Sequence, residues 1–191
     1  MRNKSKWVIL LGVILILCSL GFMMFLHIST INAQQETADT VAYIKKILPE
    51  KTIGSVDSYS SIEMPSLEFD NKNIIGLLEI PATDTALPIE ACWNKKTLIS
   101  IPQRFSGTVY DNSLVVGGYD RKEQFDCLKK LDSGNTVTIT DMTGAQFSYK
   151  VELIERKKSA TKEVLQDASY DLTLFVRDAN SMEYIIVRCS Q

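Results

Sequence analysis

A mainly β domain is the fold class this sequence predicts. It is closed, or nearly closed, into a barrel of about eight strands with one or two short helices, and it follows an N-terminal transmembrane helix. Three observations carry that expectation. An apolar run from Trp7 to Leu26 holds no charge and gives way to a polar stretch. From Ile74 to the C-terminus, short apolar runs alternate with turn residues at regular spacing. The long amphipathic helices that a doubly wound α/β sheet places between its strands are missing from that part.

The run Trp7–Leu26 is about the length that crosses a bilayer as a helix. Arg2, Lys4 and Lys6 precede it and no acidic residue does. The positive-inside rule then keeps residues 1–6 in the cytoplasm and sends the rest outward, giving a single-pass cell-membrane protein. A signal peptide cut after Ala33, with Ile31 and Ala33 in the cleavage positions, is the competing reading. The run exceeds the usual signal-peptide apolar core of roughly 7–15 residues, which favours an uncleaved anchor over residues 7–31. Residues 32–73 read as a stalk. Val41, Ile44, Ile47 and Leu48 recur at helical spacing before Pro49, and Ser55–Ser61 reads as flexible linker.

The β domain then takes residues 74–191. Ile74–Ile80 reads as a strand stopped by Pro81, Leu87–Cys92 as a second, and Ser113–Val116 as a third ended by Gly117 and Gly118. Phe125, Leu128 and Leu131 fall three apart in Gln124–Leu131, the pattern of a short amphipathic helix. After the turn Ser133-Gly134-Asn135, Thr136–Thr140 alternates and Thr143-Gly144 turns it into its hairpin partner Phe147–Ile154. Lys157–Gln166 is charged and suits a loop with a short helix. Leu172–Val176 and Tyr184–Val187 are the most apolar strands and close the domain.

Composition excludes several functions. The 21 Lys+Arg against 23 Asp+Glu give a net charge of −2, and three of the bases precede the apolar run. The remaining bases are scattered, with no basic face interleaved with aromatics, which argues against nucleic acid as a partner. Of four cysteines, Cys18 lies in the apolar run, and Cys92, Cys127 and Cys189 are widely spaced, so at most one disulfide is expected. The single histidine, His27, borders the apolar run. The exported part therefore has no imidazole to pair with a cysteine or serine nucleophile. No metal or other cofactor is expected from so thin a ligand set.

The order of the segments resembles the sortases, membrane-anchored cysteine transpeptidases of Gram-positive bacteria. The residues carrying the resemblance span Ile74 to Cys189. IIGLLEIP is followed by LPIE, with Pro88 seven residues after Pro81. RFSGTVYDNSLVVGG is similar to the segment leading into the catalytic histidine of that family. Phe125, Leu128, Leu131 and Gly134 match the helix and turn that follow it, and DLTLF with YIIVRC resembles the final strand pair. The resemblance implies a barrel that cuts sorting signals of the LPXTG type and joins the protein to cell wall or pilus.

Residue by residue, the resemblance also implies three lost groups. The histidine slot falls on Gly118 counted from Asn112, or on Tyr119 counted back from Phe125. The nucleophile ends the penultimate strand in the pattern T-L-x-T-C, and here that strand reads T-L-F-V-R, so Arg177 fills the cysteine slot. The arginine that stabilises the oxyanion lies seven residues later, at Tyr184. Arg188 and Cys189 already match the family's terminal Val-Arg-Cys and are not replacements. A guanidinium carries donors only and stays charged, so it cannot attack a carbonyl. Without a positioned acid the leaving amine is not protonated, and losing an oxyanion donor alone costs about 10²–10³ in rate.

The expectation is a catalytically degenerate sortase-like protein at the cell surface, with a sorting-signal-like peptide, a pilin or an active sortase as partner. The alternative is an active sortase with a displaced nucleophile at Cys92 or Cys127, and a third is a product with no present role. Cys127 is expected to pack inside the short helix, and Cys92 to pack beside Trp93. Arg177 is a candidate for binding a peptide carboxylate or carbonyl, against a surface arginine paired with Asp178 or Glu183. Tyr119 and Tyr184 are candidates for an aromatic wall, against ordinary half-buried barrel residues. Glu155–Lys158 reads as a solvated face or loop. Lys157–Tyr170 corresponds in position to the loop that shapes specificity in that family.

Overall fold

The computed structural model describes residues 2–48, 52–53 and 63–191. The linker expected at Ser55–Ser61 and the helix stop at Pro49 lie outside the described residues, as do the side chains of His27, Ile31 and Ala33. Contacts divide the chain into two units, Met1–Glu36 and Thr37–Gln191. The first belongs to helix α1 (Arg2–Ile47), in which Trp7, Leu15, Leu17 and Phe22 are exposed. Among the described residues no helix is long and apolar enough to cross a membrane. Side chains are described for only part of the Trp7–Leu26 run, and the anchor stays a sequence-based expectation.

Among the described residues ten strands follow: β1 (Thr52–Ile53), β2 (Leu67–Phe69), β3 (Lys72–Ile80), β4 (Thr85–Glu90), β5 (Gln103–Ser106), β6 (Leu114–Gly118), β7 (Thr136–Asp141), β8 (Ala145–Lys157), β9 (Leu172–Arg177) and β10 (Tyr184–Ser190). Helix α2 (Lys162–Leu165) lies between β8 and β9. The strands pair in the order β8-β10-β9-β6-β5-β4-β3, and β7 bridges β3 back to β8. Eight strands thus close into a barrel without free edges. The weakest seam is β4 against β5, a single parallel pair of Glu90 with Gln103. Gln103 reinforces it by donating Nε2 to Glu90 Oε2 at 2.7 Å and to Thr97 Oγ1 at 2.8 Å, while its Oε1 accepts from Asn94 N.

Strand parity decides what fills the barrel. Leu172, Leu174 and Val176 of β9 meet Ile185, Val187 and Cys189 of β10 in the interior, together with Phe147, Tyr149 and Val151 of β8. The alternate residues Phe175 and Ile186 face outward, where Val115 and Leu165 cover them in a second cluster. Burying one such side chain stabilises by about 1.5–3 kcal/mol.

The structure departs from the sequence reading at particular places. Strand β5 is not among the strands the sequence predicts: QRFS has no apolar alternation, yet it pairs with β6 through Gln103, Arg104 and Ser106. Strand β8 runs on through Glu155 to Lys157, so this stretch is sheet rather than loop, with Arg156, Lys157 and Lys158 on a solvated face and Glu155 held by Arg188 and Lys157. The short helix expected over Gln124–Leu131 is present as a 3-10 helix, Phe125–Lys130, ended by the extended backbone of Leu131. Gly117 and Gly118 lie inside β6 rather than after it. The barrel sheet also starts before Ile74. Asp70 and Asn71, with φ of 48° and 57°, make the tight turn that pairs β2 with β3.

The end of α1 packs on this barrel. Ile44, fully buried, joins Ile74 and Ile101, with Leu48, Phe69 and Met142 around them. Tyr43 stacks on Phe69 at 4.7 Å, and Lys45 Nζ pairs with Glu79 Oε1 at 2.7 Å. Of the four positions whose spacing predicts a short helix, Ile44 and Leu48 pack here and Ile47 is exposed, and the helix is the end of α1 rather than a separate short one.

Candidate functional site

A groove of about 540 Å³ lies on the outer face of β6, β9 and β10. Register assembles it. Tyr184 pairs with Arg177 across β10 and β9, and Gly118 pairs with Val176 across β6 and β9. Parity then turns Phe175 and Arg177 outward from β9, opposite to the interior-facing Val176. Gly118, Tyr119, Arg177 and Tyr184, the four positions singled out in the sequence, all line this one groove.

Its floor is aromatic. Trp93, Phe105 and Phe175 contact one another with ring centroids 5.1 to 5.7 Å apart. Gly117 makes room for them, because a Cβ there would come within 2.6 Å of both Phe175 and Trp93. Gly118 differs from Tyr119 in the same physical way. A Cβ on Gly118 would meet the Phe125 ring at 2.4 Å, whereas Tyr119 projects freely and is 46 % exposed. Of the two positions that the resemblance gives for a histidine, only Tyr119 has room for a side chain at the groove.

The walls come from loops tied by buried polar groups. Gln124 donates Nε2 to the carbonyls of Leu98 (3.2 Å) and Ile99 (2.8 Å) and accepts from Tyr119 N at 3.0 Å. It thereby joins the loop after β4 to the end of β6. Ala160 and Leu165, within the stretch compared above to a specificity loop, form another wall. At one end, Asp120 accepts from Ala179 N at 2.7 Å and from Lys129 Nζ at 2.5 Å. Asp178 takes hydrogen bonds from Asn180 N, Arg156 Nη1 and Ser181 Oγ, and Lys129 lies 3.6 Å away. The Asn180 amide and then Arg156 hold the Asp178 carboxyl well below the usual range, against the opposing effect of burial.

Arg177 stands apart from this network. The surface-pairing alternative fails, because Asp178 is held by Arg156 and Lys129 instead. Among the described residues Arg177 has no acidic partner. Its Nε donates to Met182 O at 3.4 Å, and its guanidinium carbon lies 6.0 Å from the Tyr184 ring centroid. Both tyrosines line the groove: Tyr184 is half-buried with the Arg177 guanidinium over its ring, and Tyr119 is exposed beside Arg121.

Arg188, four residues beyond Tyr184, has the opposite environment. It is 2 % exposed, bonds Glu155 through Nε and Nη2, and reaches Thr173 Oγ1 and the carbonyls of Val164 and Leu165. Burial pushes Glu155 up, but Lys157 and Arg188 outweigh it and its carboxyl sits below the usual range.

The cysteines are all free. Cys127 is buried, donates its S–H to Gln124 O at 3.2 Å, and has its thiol pushed up by burial. Cys189 is buried and pushed up to about 12, by burial first and then by the Glu152 charge. Both favour an unreactive thiol. Cys92 corrects an expectation: it lies past the end of β4, exposed rather than packed, and outside the groove lining. Among the described residues no set of three His, Cys, Asp or Glu side chains could hold a metal ion.

The floor of Trp93, Phe105 and Phe175 and the ties through Gln103 and Gln124 escaped sequence reading. One signal for Phe175 was present: it shares parity with Arg177 on a strand whose other residues are core.

An eight-stranded closed barrel with a groove over its last two strands is the class of structure these features define. The barrel is that of the sortases. Sortase C1 from Streptococcus suis superposes with a TM-score of 0.53 at 22% identity, covering 61% of this chain and 72% of its own. Sortase A from Corynebacterium diphtheriae gives 0.54 at 17% identity, covering 83% and 82%. A Clostridium perfringens sortase D5 transpeptidase gives 0.53 at 18% identity, covering 61% and 78%. No protein-family model and no curated protein matches the chain.

Proposed function

We propose that this chain is a catalytically degenerate sortase-like protein that binds, without cutting, a sorting-signal-like peptide, a pilin or a partner sortase. It acts at the cell surface behind a single-pass anchor over residues 7–31, with the N-terminus in the cytoplasm. One observation carries the reading. The groove gathers Tyr119, Arg177 and Tyr184 where the resemblance puts the catalytic groups, and among the described residues its lining includes no thiol and no imidazole. The aromatic floor suits apolar peptide side chains, and the polar groups at its end suit orientation of a backbone. The displaced-nucleophile alternative is disfavoured because Cys127 and Cys189 are buried and Cys92 lies outside the groove.

The test uses the full chain in detergent with a fluorogenic LPXTG-type peptide and hydroxylamine as acceptor. No release above the buffer rate is expected, together with saturable binding of the same peptide. Turnover abolished by Cys92→Ala would establish the displaced-nucleophile enzyme instead.

A further inference from the structure

The unbalanced charge of the groove narrows its occupant. Both carboxylates at its end are committed: Asp120 to Lys129 and Ala179 N, Asp178 to Arg156, Ser181 and Asn180 N. The two cations in the lining, Arg177 and Lys95, have no acidic partner among the described residues. Arg177 is also preorganised. Its Nε donates to Met182 O and its guanidinium carbon lies over the Tyr184 ring, which leaves the two Nη groups for a further acceptor. A guanidinium held this way matches a planar carboxylate through two parallel hydrogen bonds. An uncharged backbone carbonyl satisfies one of those donors and leaves the charge unanswered.

We propose that the groove is a receptor for a peptide chain end. Arg177 captures the free C-terminal carboxylate, and the preceding apolar side chains lie on Trp93, Phe105 and Phe175. This rests on the peptide-binding reading above and sharpens it, because a chain end differs from an internal segment by the one group Arg177 is placed to hold. Arg177 here is a binding residue, and no bond is made or broken.

The experiment measures fluorescence polarisation with the full chain in detergent and three forms of one N-terminally labelled peptide, Leu-Pro-Ala-Thr. One ends in a free carboxylate, one in an amide, and one is the amide with Asp in place of Ala. The free acid is expected to bind about tenfold or more tighter than the amide, as charge-assisted hydrogen bonds imply. Arg177→Gln is expected to bring the two within about twofold, with Trp93 fluorescence unchanged as a check on folding. Arg177→Lys keeps the charge, loses the fork and is expected to fall between. Equal binding of acid and amide, or a preference that survives Arg177→Gln, overturns the chain-end proposal and leaves the peptide-binding reading standing. An Asp-containing amide that binds as tightly as the free acid overturns the assignment to a terminus. Absence of binding by every form overturns both readings.

Discussion

Arg177 and Arg188 lie on neighbouring strands and face the same side of the barrel, yet the structure uses them in opposite ways. Arg188 is enclosed between β9, β10 and α2, with every part of its guanidinium hydrogen-bonded. By holding the carbonyls of Val164 and Leu165 it satisfies groups left open at the end of a four-residue helix. Arg177 lies at the open end of the same face with a single long hydrogen bond to protein. Identical side chains at similar strand positions become a structural clamp or an available cation according to what covers them. Covering depends on the β8–β9 connection, which reaches Arg188 and stops short of Arg177.

That contrast is open to attack by substitution. The largest effect is expected from Arg188→Met, which leaves Glu155 with Lys157 alone and strands two helix carbonyls. It should cost about 3 kcal/mol in urea denaturation, in the range for breaking a buried pair. Next comes Gly118→Ala, whose methyl would press on the Phe125 ring. A loss of about 2 kcal/mol is expected from such overpacking, while Tyr119→His at the neighbouring position should leave the melting temperature nearly unchanged. If Gly118→Ala is neutral, Gly118 returns as a position able to carry a side chain at the groove.

A smaller effect concerns the acidic end of the groove. The Asp178 carboxyl is held below its ordinary value of 3.8 in the folded state. Its ionised form therefore favours folding at pH above that value, and the contribution is lost as pH falls below it. Denaturation midpoints between pH 6 and pH 3 should fall less steeply for Asp178→Asn than for the parent. An unchanged slope would mean that the Asn180 amide and Arg156 do not bias this group. The smallest effect is reserved for Arg177→Met, within about 0.5 kcal/mol of the parent, as for an ordinary surface position. A loss as large as that of Arg188→Met would erase the contrast and make Arg177 a structural residue.

Much of the barrel was readable because period-2 alternation survives wherever one face of a strand is core. Strands β7, β9 and β10 were placed to within a few residues on that signal. Strand β5 was not, since Arg104 and Ser106 offer no apolar rhythm and Gln103 is paired through its side-chain amide. The groove was readable at its strand ends and unreadable in its floor. Trp93 and Phe105 come from segments with no shared periodicity, and only closure of the barrel brings them to Phe175. Cys92 was misplaced for a related reason. It follows an apolar run, but the strand ends at Glu90, where the backbone turns to meet Pro102.

By itself the sequence determined the strand content of the domain, the absence of imidazole beyond His27, and the residue types at Tyr119, Arg177 and Tyr184. These are matters of composition and local period, which no packing alters. Only the tertiary structure decided that those residues share one groove, that Gly118 has no room for a side chain, and that Arg188 is spent while Arg177 is not. Availability of a charged group depends on which distant segments cover it, and that is decided when the eight strands close.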